Sequence, residues 1–327
     1  MKNRRFGSDG MTVSEVGLGC WQLGGDWGAV SDDQAQAILS TAVERGVNFF
    51  DTADVYGGGR SESLIGKFLQ QTSSSVFVAT KLGRAGDPGG AANFTREAMR
   101  AHTEASLRRL GVEALDLTQL HCVPADILAQ GEVFENLREL QQAGKIRRFG
   151  ASVESMDEAH LCLPQDGLAS LQIIFNIFRQ KPIDALFAEA RRREVALIVR
   201  LPLASGLLSG KYRKDTQFAP SDHRTYNRDG QAFNVGETFA GLPFETGVEL
   251  ADALKPLVPP GITLAQMALR WCLDFDAVTT VIPGAKDAAM AIANAAAADL
   301  PPLSADLHAQ IQQIYRDRVA AAIRGPY

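Results

Sequence analysis

Three consecutive segments of β-strand character each end in a side chain that can exchange or stabilise a proton. Asp51 ends the first, Lys81 the second and His121 the third, and Tyr56 follows shortly after Asp51. A phenol ionises near pH ~10, so it is a poor acid at neutral pH unless a nearby cation stabilises the phenolate. Lys81 is such a cation, and a buried ammonium needs a counter-charge such as Asp51. The set lacks a strong nucleophile and suits protonation of a carbonyl oxygen by Tyr56, oriented by His121, while the carbon receives a hydride.

The elements that must bring these four residues together are alternating strands and helices. Short apolar or β-branched runs alternate with segments of helical period about eight times along the chain. Helix boundaries are marked by capping-box pairs and by glycines at helix ends: Ser31 with Gln34, Ser155 with Glu158, and Gly46, Gly111 and Gly144. This alternation predicts a parallel sheet, and the number of strands favours a closed (β/α)8 TIM barrel over an open one. In such a barrel the active site lies at the carboxyl ends of the strands. A single Asp, Lys or His at a strand end is usually structural, but three on consecutive strands indicate a shared site.

Two segments lie outside the alternation. Residues 4–6 and 11–13 flank Ser8-Asp9-Gly10, which predicts a β-hairpin before the first barrel strand. Residues 211–245, after the seventh barrel strand, have no clear period and are longer than a connection needs, so we expect a functional cover. No linker divides the chain, and residues 1–327 are predicted to form one domain.

The composition of the chain limits the classes of partner that we expect it to bind. The chain has 327 residues, with 33 Lys+Arg against 38 Asp+Glu, a formal net charge of -5 that argues against nucleic acid. No apolar run reaches the roughly eighteen residues of a membrane helix, and the basic start lacks the apolar region of a signal peptide. Four scattered cysteines indicate reduced thiols. The five histidines include no HxH pair, so no metal site is predicted. We therefore expect a cytoplasmic protein with a small-molecule substrate.

Three motifs closely resemble those of the NAD(P)H-dependent aldo-keto reductase superfamily. They are residues 46–57 (GVNFFDTADVYG), residues 79–81 (ATK) and residues 116–121 (DLTQLH), and the resemblance runs from Val16 to Gly284. It implies that Asp51, Tyr56, Lys81 and His121 form a catalytic tetrad with Tyr56 as general acid. The implied activity is reduction of an aldehyde or ketone, aromatic or sugar-like, to the alcohol with NADPH.

The resemblance also implies a cofactor site. Ser152 and Gln172 match residues that hold the nicotinamide amide. The other implied contacts lie in a loop that covers the pyrophosphate and in an adenosine-phosphate segment: Leu203, Ser205, Gly206 and Lys211, and Gly284, Lys286 and Asn294. Lys286 is the candidate cation for a 2′-phosphate, so NADP is expected in preference to NAD.

Several positions depart from the family pattern. Val153 stands where Asn is usual, Arg200 where an aromatic residue is usual, Met290 where Arg or Gln is common, and Ala293 where Glu is common. Arg200 is expected beside the cofactor. Its planar guanidinium could stack on the nicotinamide, or it could bind an anionic or polyhydroxyl substrate.

The substrate pocket and the class of function leave alternatives. Trp21 and Trp27, in the first loop of the barrel, are candidates for the pocket wall, and Trp27 is expected to be the more exposed because glycines surround it. The resemblance includes a branch of potassium-channel β-subunits, so a regulatory subunit that binds nicotinamide cofactor with little turnover is the main alternative. A metal-dependent barrel hydrolase is disfavoured by the poor set of metal ligands.

Overall fold

Eight parallel strands, each paired with the next in chain order, wind into the barrel that the alternating pattern predicts. A computed structural model describes residues 1–25 and 27–327. The barrel strands are β3 (Leu18–Gly19), β4 (Phe49–Asp51), β5 (Phe77–Leu82), β6 (Leu117–His121), β7 (Phe149–Ser152), β8 (Leu168–Ile174), β9 (Ala196–Arg200) and β10 (Val278–Val281). They follow a separate antiparallel pair, β1 (Asn3–Arg5) and β2 (Thr12–Ser14). Bridges from Val16 to Val281 and from Gly19 to Gly284 join the first and last barrel strands. The predicted (β/α)8 fold is confirmed.

The helices surround the barrel. They are α1 (Asp32–Glu44), α2 (Arg60–Leu69), α3 (Arg96–Leu110), α4 (Ala125–Gln130), α5 (Glu132–Gln142), α6 (Met156–Cys162), α7 (Pro182–Ala185), α8 (Phe187–Arg192), α9 (His223–Tyr226), α10 (Phe244–Leu254), α11 (Leu264–Leu273), α12 (Ala288–Ala295) and α13 (Ala305–Ile314). Both predicted capping boxes form, and α11 has a third at Thr263 and Gln266. Gly46, Gly111 and Gly144 have positive φ, as helix ends require. Among the described residues, no helix combines the length and apolar character needed to span a bilayer.

The predicted hairpin, β1 and β2, closes the amino end of the barrel. Its Phe6 is fully buried, and its ring centroid lies 5.0 Å from that of Phe77 and 5.8 Å from that of Phe49. This apolar plug fills one end of the barrel, so a ligand must enter from the carboxyl ends of the strands.

The long segment after β9 crosses that carboxyl end. We call residues 211–243 the strap; it contains α9 and the short 3₁₀ turns Val235–Glu237 and Phe239–Gly241. Seven of its described residues line the cavity at the barrel mouth: Lys211, Tyr212, Arg224, Tyr226, Ala232, Phe233 and Glu237. The expectation that this aperiodic segment covers a site agrees with where it lies.

Candidate active site

The four residues predicted to act together lie in one cluster at the ends of β4, β5 and β6. Lys81 Nζ donates to Asp51 Oδ1 at 2.5 Å and lies 3.3 Å from the Tyr56 hydroxyl. The His121 ring is edge-on to Tyr56, with 6.0 Å between the centroids. Asp51, Lys81 and His121 are buried, and their strands are parallel neighbours. Adjacent strand ends thus bring the four side chains together.

Two glutamines, neither of them predicted for this role, hold Asp51. Gln172 Nε2 donates to Asp51 Oδ2 at 2.7 Å, and Gln119 Nε2 donates to the same oxygen at 3.2 Å. Gln172 also donates to Gln119 Oε1 at 3.3 Å. Gln172 was expected to hold a nicotinamide amide, and with both amide hydrogens engaged it offers its carbonyl oxygen for that purpose. Gln119 was missed because an inward-facing strand glutamine has no motif of its own.

Electrostatics in the cluster set the protonation states. Burial, together with the charges of Arg84 and Lys81, holds the pKa of His121 well below its usual value, so the imidazole is neutral. Burial raises the pKa of Tyr56 to about 12, although Lys81 acts in the opposite direction. Lys81 lowers the pKa of the phenol, as expected. The net shift is nevertheless upward, because the effect of burying the hydroxyl is larger than the effect of Lys81. Burial opposes the charge on Lys81, but Asp51 and Tyr56 overcome it and raise the pKa of the ammonium.

Two glycines position the loop that carries Tyr56. Gly57 has φ of +60°, and a Cβ placed on it would lie 2.5 Å from the carbonyl oxygen of Gly24. A Cβ on Gly24 would lie 2.7 Å from the backbone nitrogen of Gly57. This backbone contact lets Trp21 stack on Tyr56 with 5.7 Å between ring centroids.

We expect Gly57→Ala to lower kcat about tenfold, because the methyl group forces the two loops apart and displaces Tyr56, in addition to the roughly 1–2 kcal/mol cost of alanine in the left-handed region. Gly58→Ala is the matched control, since Gly58 has φ of +62° and a Cβ there meets nothing within 4 Å. Steady-state kinetics and thermal unfolding of both variants measure the difference. Equal kcat values for the two variants would show that the Gly24–Gly57 contact does not position Tyr56.

The cluster opens into a cavity of about 370 Å³ at the barrel mouth. Its walls include all but one of the residues expected to contact cofactor, together with both predicted tryptophans: Ser152, Gln172, Arg200, Leu203, Ser205, Gly206, Lys211, Gly284, Lys286, Trp21 and Trp27. The remaining residue, Asn294, donates from Nδ2 to the carbonyl oxygen of Gly284 at 3.1 Å and so supports the cavity wall. The structure therefore brings the predicted catalytic and cofactor residues to one cavity.

The end of the cavity around Lys286 suits an anion. Lys211, Arg224 and Lys286 all line the cavity, Arg224 is paired with Asp222, and burial together with the charge of Arg224 lowers the pKa of Lys286. A lowered pKa means that the surroundings destabilise the charged form of Lys286. A phosphate group bound beside the ammonium would stabilise that charge. Lys286 and three members of the proton-transfer cluster, Asp51, Tyr56 and His121, line the same cavity.

Trp27 is not the exposed residue that its glycine neighbours suggest. It is 8% exposed, its ring lies 5.4 Å from that of Trp21 in an edge-on arrangement, and the guanidinium of Arg224 lies 4.9 Å from its ring centre. The expectation of exposure was wrong because the strap, which carries Arg224, packs over the first barrel loop. Contacts between segments so distant in sequence leave no local signal.

Arg200 and three charged residues that were not predicted form an ion-pair cluster beside the cavity, with Arg200 and Glu237 buried and Arg84 and Glu154 half-buried. Arg84 Nη2 lies 2.9 Å from Glu237 Oε1 and 3.3 Å from Glu154 Oε1, and Arg200 Nη1 lies 3.4 Å from Glu237 Oε2. Arg84 follows β5, Glu154 follows β7, and Glu237 belongs to the strap. Cys122 Sγ and the two carboxyl groups lie close enough to share a cation, and the guanidinium groups of Arg84 and Arg200 already supply positive charge there. The members come from four distant segments, so no motif reveals the cluster.

Comparison with known proteins points to one family. The model of the Aldo/keto reductase family matches residues 15–316. The chain is 28% identical to the "Aldo-keto reductase yakc [NADP(+)]" of Schizosaccharomyces pombe, covering 86% of this chain and 82% of the relative. It is 29% identical to a "Probable voltage-gated potassium channel subunit beta" of Arabidopsis thaliana, covering 93% of each. The glycerol dehydrogenase AKR11B4 structure from Gluconobacter oxydans superposes with a TM-score of 0.80 at 28% identity, covering 99% of this chain and 98% of the other.

Proposed function

Since the chain belongs to the aldo/keto reductase family and is an NAD(P)H-dependent oxidoreductase of carbonyl compounds, we propose that Asp51, Tyr56, Lys81 and His121 carry out its chemistry with NADPH as the preferred cofactor. The observation that carries this proposal is the chain of contacts from Asp51 through Lys81 to the Tyr56 hydroxyl, beside a neutral His121. A bound reduced nicotinamide supplies the hydride that the carbonyl carbon receives.

The protein's own residues handle the oxygen and the proton. Neutral His121 donates a hydrogen bond to the carbonyl oxygen and orients it. The Tyr56 hydroxyl gives its proton to that oxygen as the carbon gains hydride, so the product is the alcohol and Tyr56 is left as phenolate. Lys81 stabilises the phenolate until a proton from solvent restores it, and Asp51 keeps Lys81 charged and in place. The raised pKa of Tyr56 means that the resting hydroxyl keeps its proton at neutral pH.

The preference for NADP is supported by Lys286. This cation lines the cavity and would face the 2′-phosphate, whereas Arg224 is already paired with Asp222, and the yeast relative is named for NADP(+). A phosphate monoester carries up to two negative charges at neutral pH, so a local cation distinguishes it from a hydroxyl.

We expect Lys286→Gln to raise the Kd for NADPH about tenfold and the Kd for NADH less than twofold, because only NADPH has the phosphate that Lys286 would bind. Lys211→Gln is the contrasting variant, since a contact with the pyrophosphate affects both nucleotides alike. Fluorescence titrations of the three proteins with both cofactors measure these constants. A wild-type preference for NADH, or equal losses of both cofactors in Lys286→Gln, would refute the assignment.

The walls near Tyr56 support an aldehyde or ketone with an aromatic or hydroxylated body. Trp21, Trp27 and Phe233 supply flat apolar surface, while Arg84 and Glu237 supply polar groups on the same wall. The glycerol dehydrogenase name of a structural neighbour supports the hydroxylated class. A panel of aromatic aldehydes, aliphatic ketones and keto sugars, followed through NADPH absorbance, tests both classes.

A regulatory subunit is the second candidate, favoured by the match to the channel-subunit relative over 321 residues. It predicts tight cofactor binding and negligible turnover. If wild type and Tyr56→Phe bind NADPH but are equally inactive on the whole panel, the regulatory function replaces the enzymatic one.

A further inference from the structure

Two positions at which this chain departs from the family pattern touch each other at the cavity wall. Arg200 Nη2 donates to the carbonyl oxygen of Val153 at 3.2 Å. The Arg200 side chain is 11% exposed and lines the cavity, and its Nε is buried with no hydrogen-bond partner among the described residues. An aromatic ring at this position would be uncharged, so the substitution places a fixed cation in the wall.

The cluster around Arg200 carries more positive than negative charge. Arg84 and Arg200 both contact Glu237, and although burial opposes its ionisation, the two guanidinium groups hold the pKa of Glu237 below its usual range. Burial and the neighbouring Glu237 hold the pKa of Glu154 well above its usual range. These opposite directions favour an ionised Glu237 and a protonated Glu154, and with Glu154 protonated the cluster has two guanidinium ions beside one carboxylate, a net charge of about +1.

Arg200 is held in place from two sides. The backbone oxygen of Val153 accepts from it on the β7 side, and Glu237 faces it from the strap. Moving the Arg200 guanidinium away from a ligand would require a change of rotamer and the loss of both contacts.

We propose that Arg200 makes the cofactor site discriminate between redox states, so that reduced nicotinamide nucleotide binds more tightly than the oxidised form. The inference rests on the proposed function, which puts the nicotinamide near Ser152 and Gln172, at the ends of the strands next to Arg200. The oxidised ring carries a formal positive charge and the reduced ring does not, whereas the rest of the nucleotide is the same. With an effective dielectric constant of about 20, one uncompensated charge even about 12 Å from the ring changes affinity on the order of tenfold. The discrimination favours loading of the reductant and release of the oxidised product.

Raising the pH should weaken this discrimination. The groups that face Glu154 are Arg84 from the loop after β5, Glu237 from the strap, Arg200 from β9, the Cys122 thiol after β6, and Glu158 of α6, which accepts the Glu154 backbone N–H at 2.7 Å. A carboxyl group with a raised pKa loses its proton as the pH rises, and ionisation of Glu154 adds a second carboxylate to the cluster. The net charge then falls to about zero and the repulsion of the oxidised ring falls with it.

Equilibrium titrations of intrinsic tryptophan fluorescence with NADPH and with NADP⁺, without substrate, test the inference on wild type, Arg200→Met, Arg200→Lys and Glu154→Gln. We expect NADP⁺ to bind about tenfold more weakly than NADPH to wild type and to Arg200→Lys, and the two to bind almost equally to Arg200→Met. Between about pH 6.5 and about pH 9.5 the ratio should shrink for wild type and stay constant for Glu154→Gln. If Arg200→Met does not fold, the wild-type and Glu154→Gln pH series still decides.

Equal affinities of wild type for the two nucleotides, or an unchanged ratio in folded Arg200→Met, would overturn the inference while leaving the proposed function intact. If neither nucleotide binds wild type, the proposed cofactor site is wrong and the inference falls with it.

Discussion

Replacing Tyr56 with phenylalanine is expected to lower kcat for carbonyl reduction by about 10²–10⁴-fold while changing the Kd for NADPH less than twofold. The change removes only the hydroxyl that Lys81 Nζ approaches at 3.3 Å. The ring remains to stack on Trp21 and to meet the edge of His121, so the cavity wall keeps its shape. Steady-state kinetics and fluorescence titration of NADPH measure the two quantities.

No neighbouring group should replace the lost acid. The pKa of His121 is held well below its usual value by burial and by the cations around it, so a neutral imidazole has no readily available proton to give. His121→Gln in the Tyr56→Phe background is the informative comparison. If Tyr56→Phe retains kcat within tenfold of wild type and the double variant loses the rest, His121 is the proton donor and the role proposed for Tyr56 is wrong.

Replacing Lys81 with methionine should lower both stability and activity. Asp51 would lose its buried cation, and breaking a buried pair in this way costs about 3–5 kcal/mol in the free energy of unfolding. The phenolate of Tyr56 would also lose its stabilising charge, so kcat should fall by at least about a hundredfold. Urea unfolding and steady-state kinetics give the two values.

A double variant separates the two effects. In Asp51→Asn/Lys81→Met the charge that needed compensation is gone, and the Asn oxygen can still accept from Gln119 and Gln172, whose amides now contact Asp51 Oδ2. We expect most of the lost stability to return while activity stays low. Recovery of activity together with stability would mean that Lys81 serves only to support the fold.

The sequence predicts the features that recur at short range. The capping boxes at Ser31 and Ser155 and the helix-ending glycines mark helix boundaries through local backbone chemistry, and the structure has both. Three polar strand ends in succession were enough to bring Asp51, Lys81 and His121 together, because parallel neighbouring strands end at the same edge.

Long-range contacts account for what was missed. Glu237 meets Arg84 across 153 positions of sequence, and Arg224 covers Trp27 from the strap. No sequence period or motif predicts either contact, because each depends on how the strap crosses the barrel mouth. The net pKa shift of Tyr56 was also beyond sequence reasoning. The charge of Lys81 can be read from the chain, but the degree of burial that outweighs it cannot.

The measurement that bears most directly on the central claim follows the hydride itself. Wild-type protein is incubated with NADPH carrying deuterium at the transferring position of nicotinamide C4 and with a carbonyl compound from the panel, and the product is analysed by mass spectrometry and NMR. The proposed chemistry predicts an alcohol with one deuterium on the former carbonyl carbon, formed in a one-to-one ratio with oxidised cofactor and lost in Tyr56→Phe. Cofactor that binds tightly yet yields no deuterated alcohol from any member of the panel would contradict it.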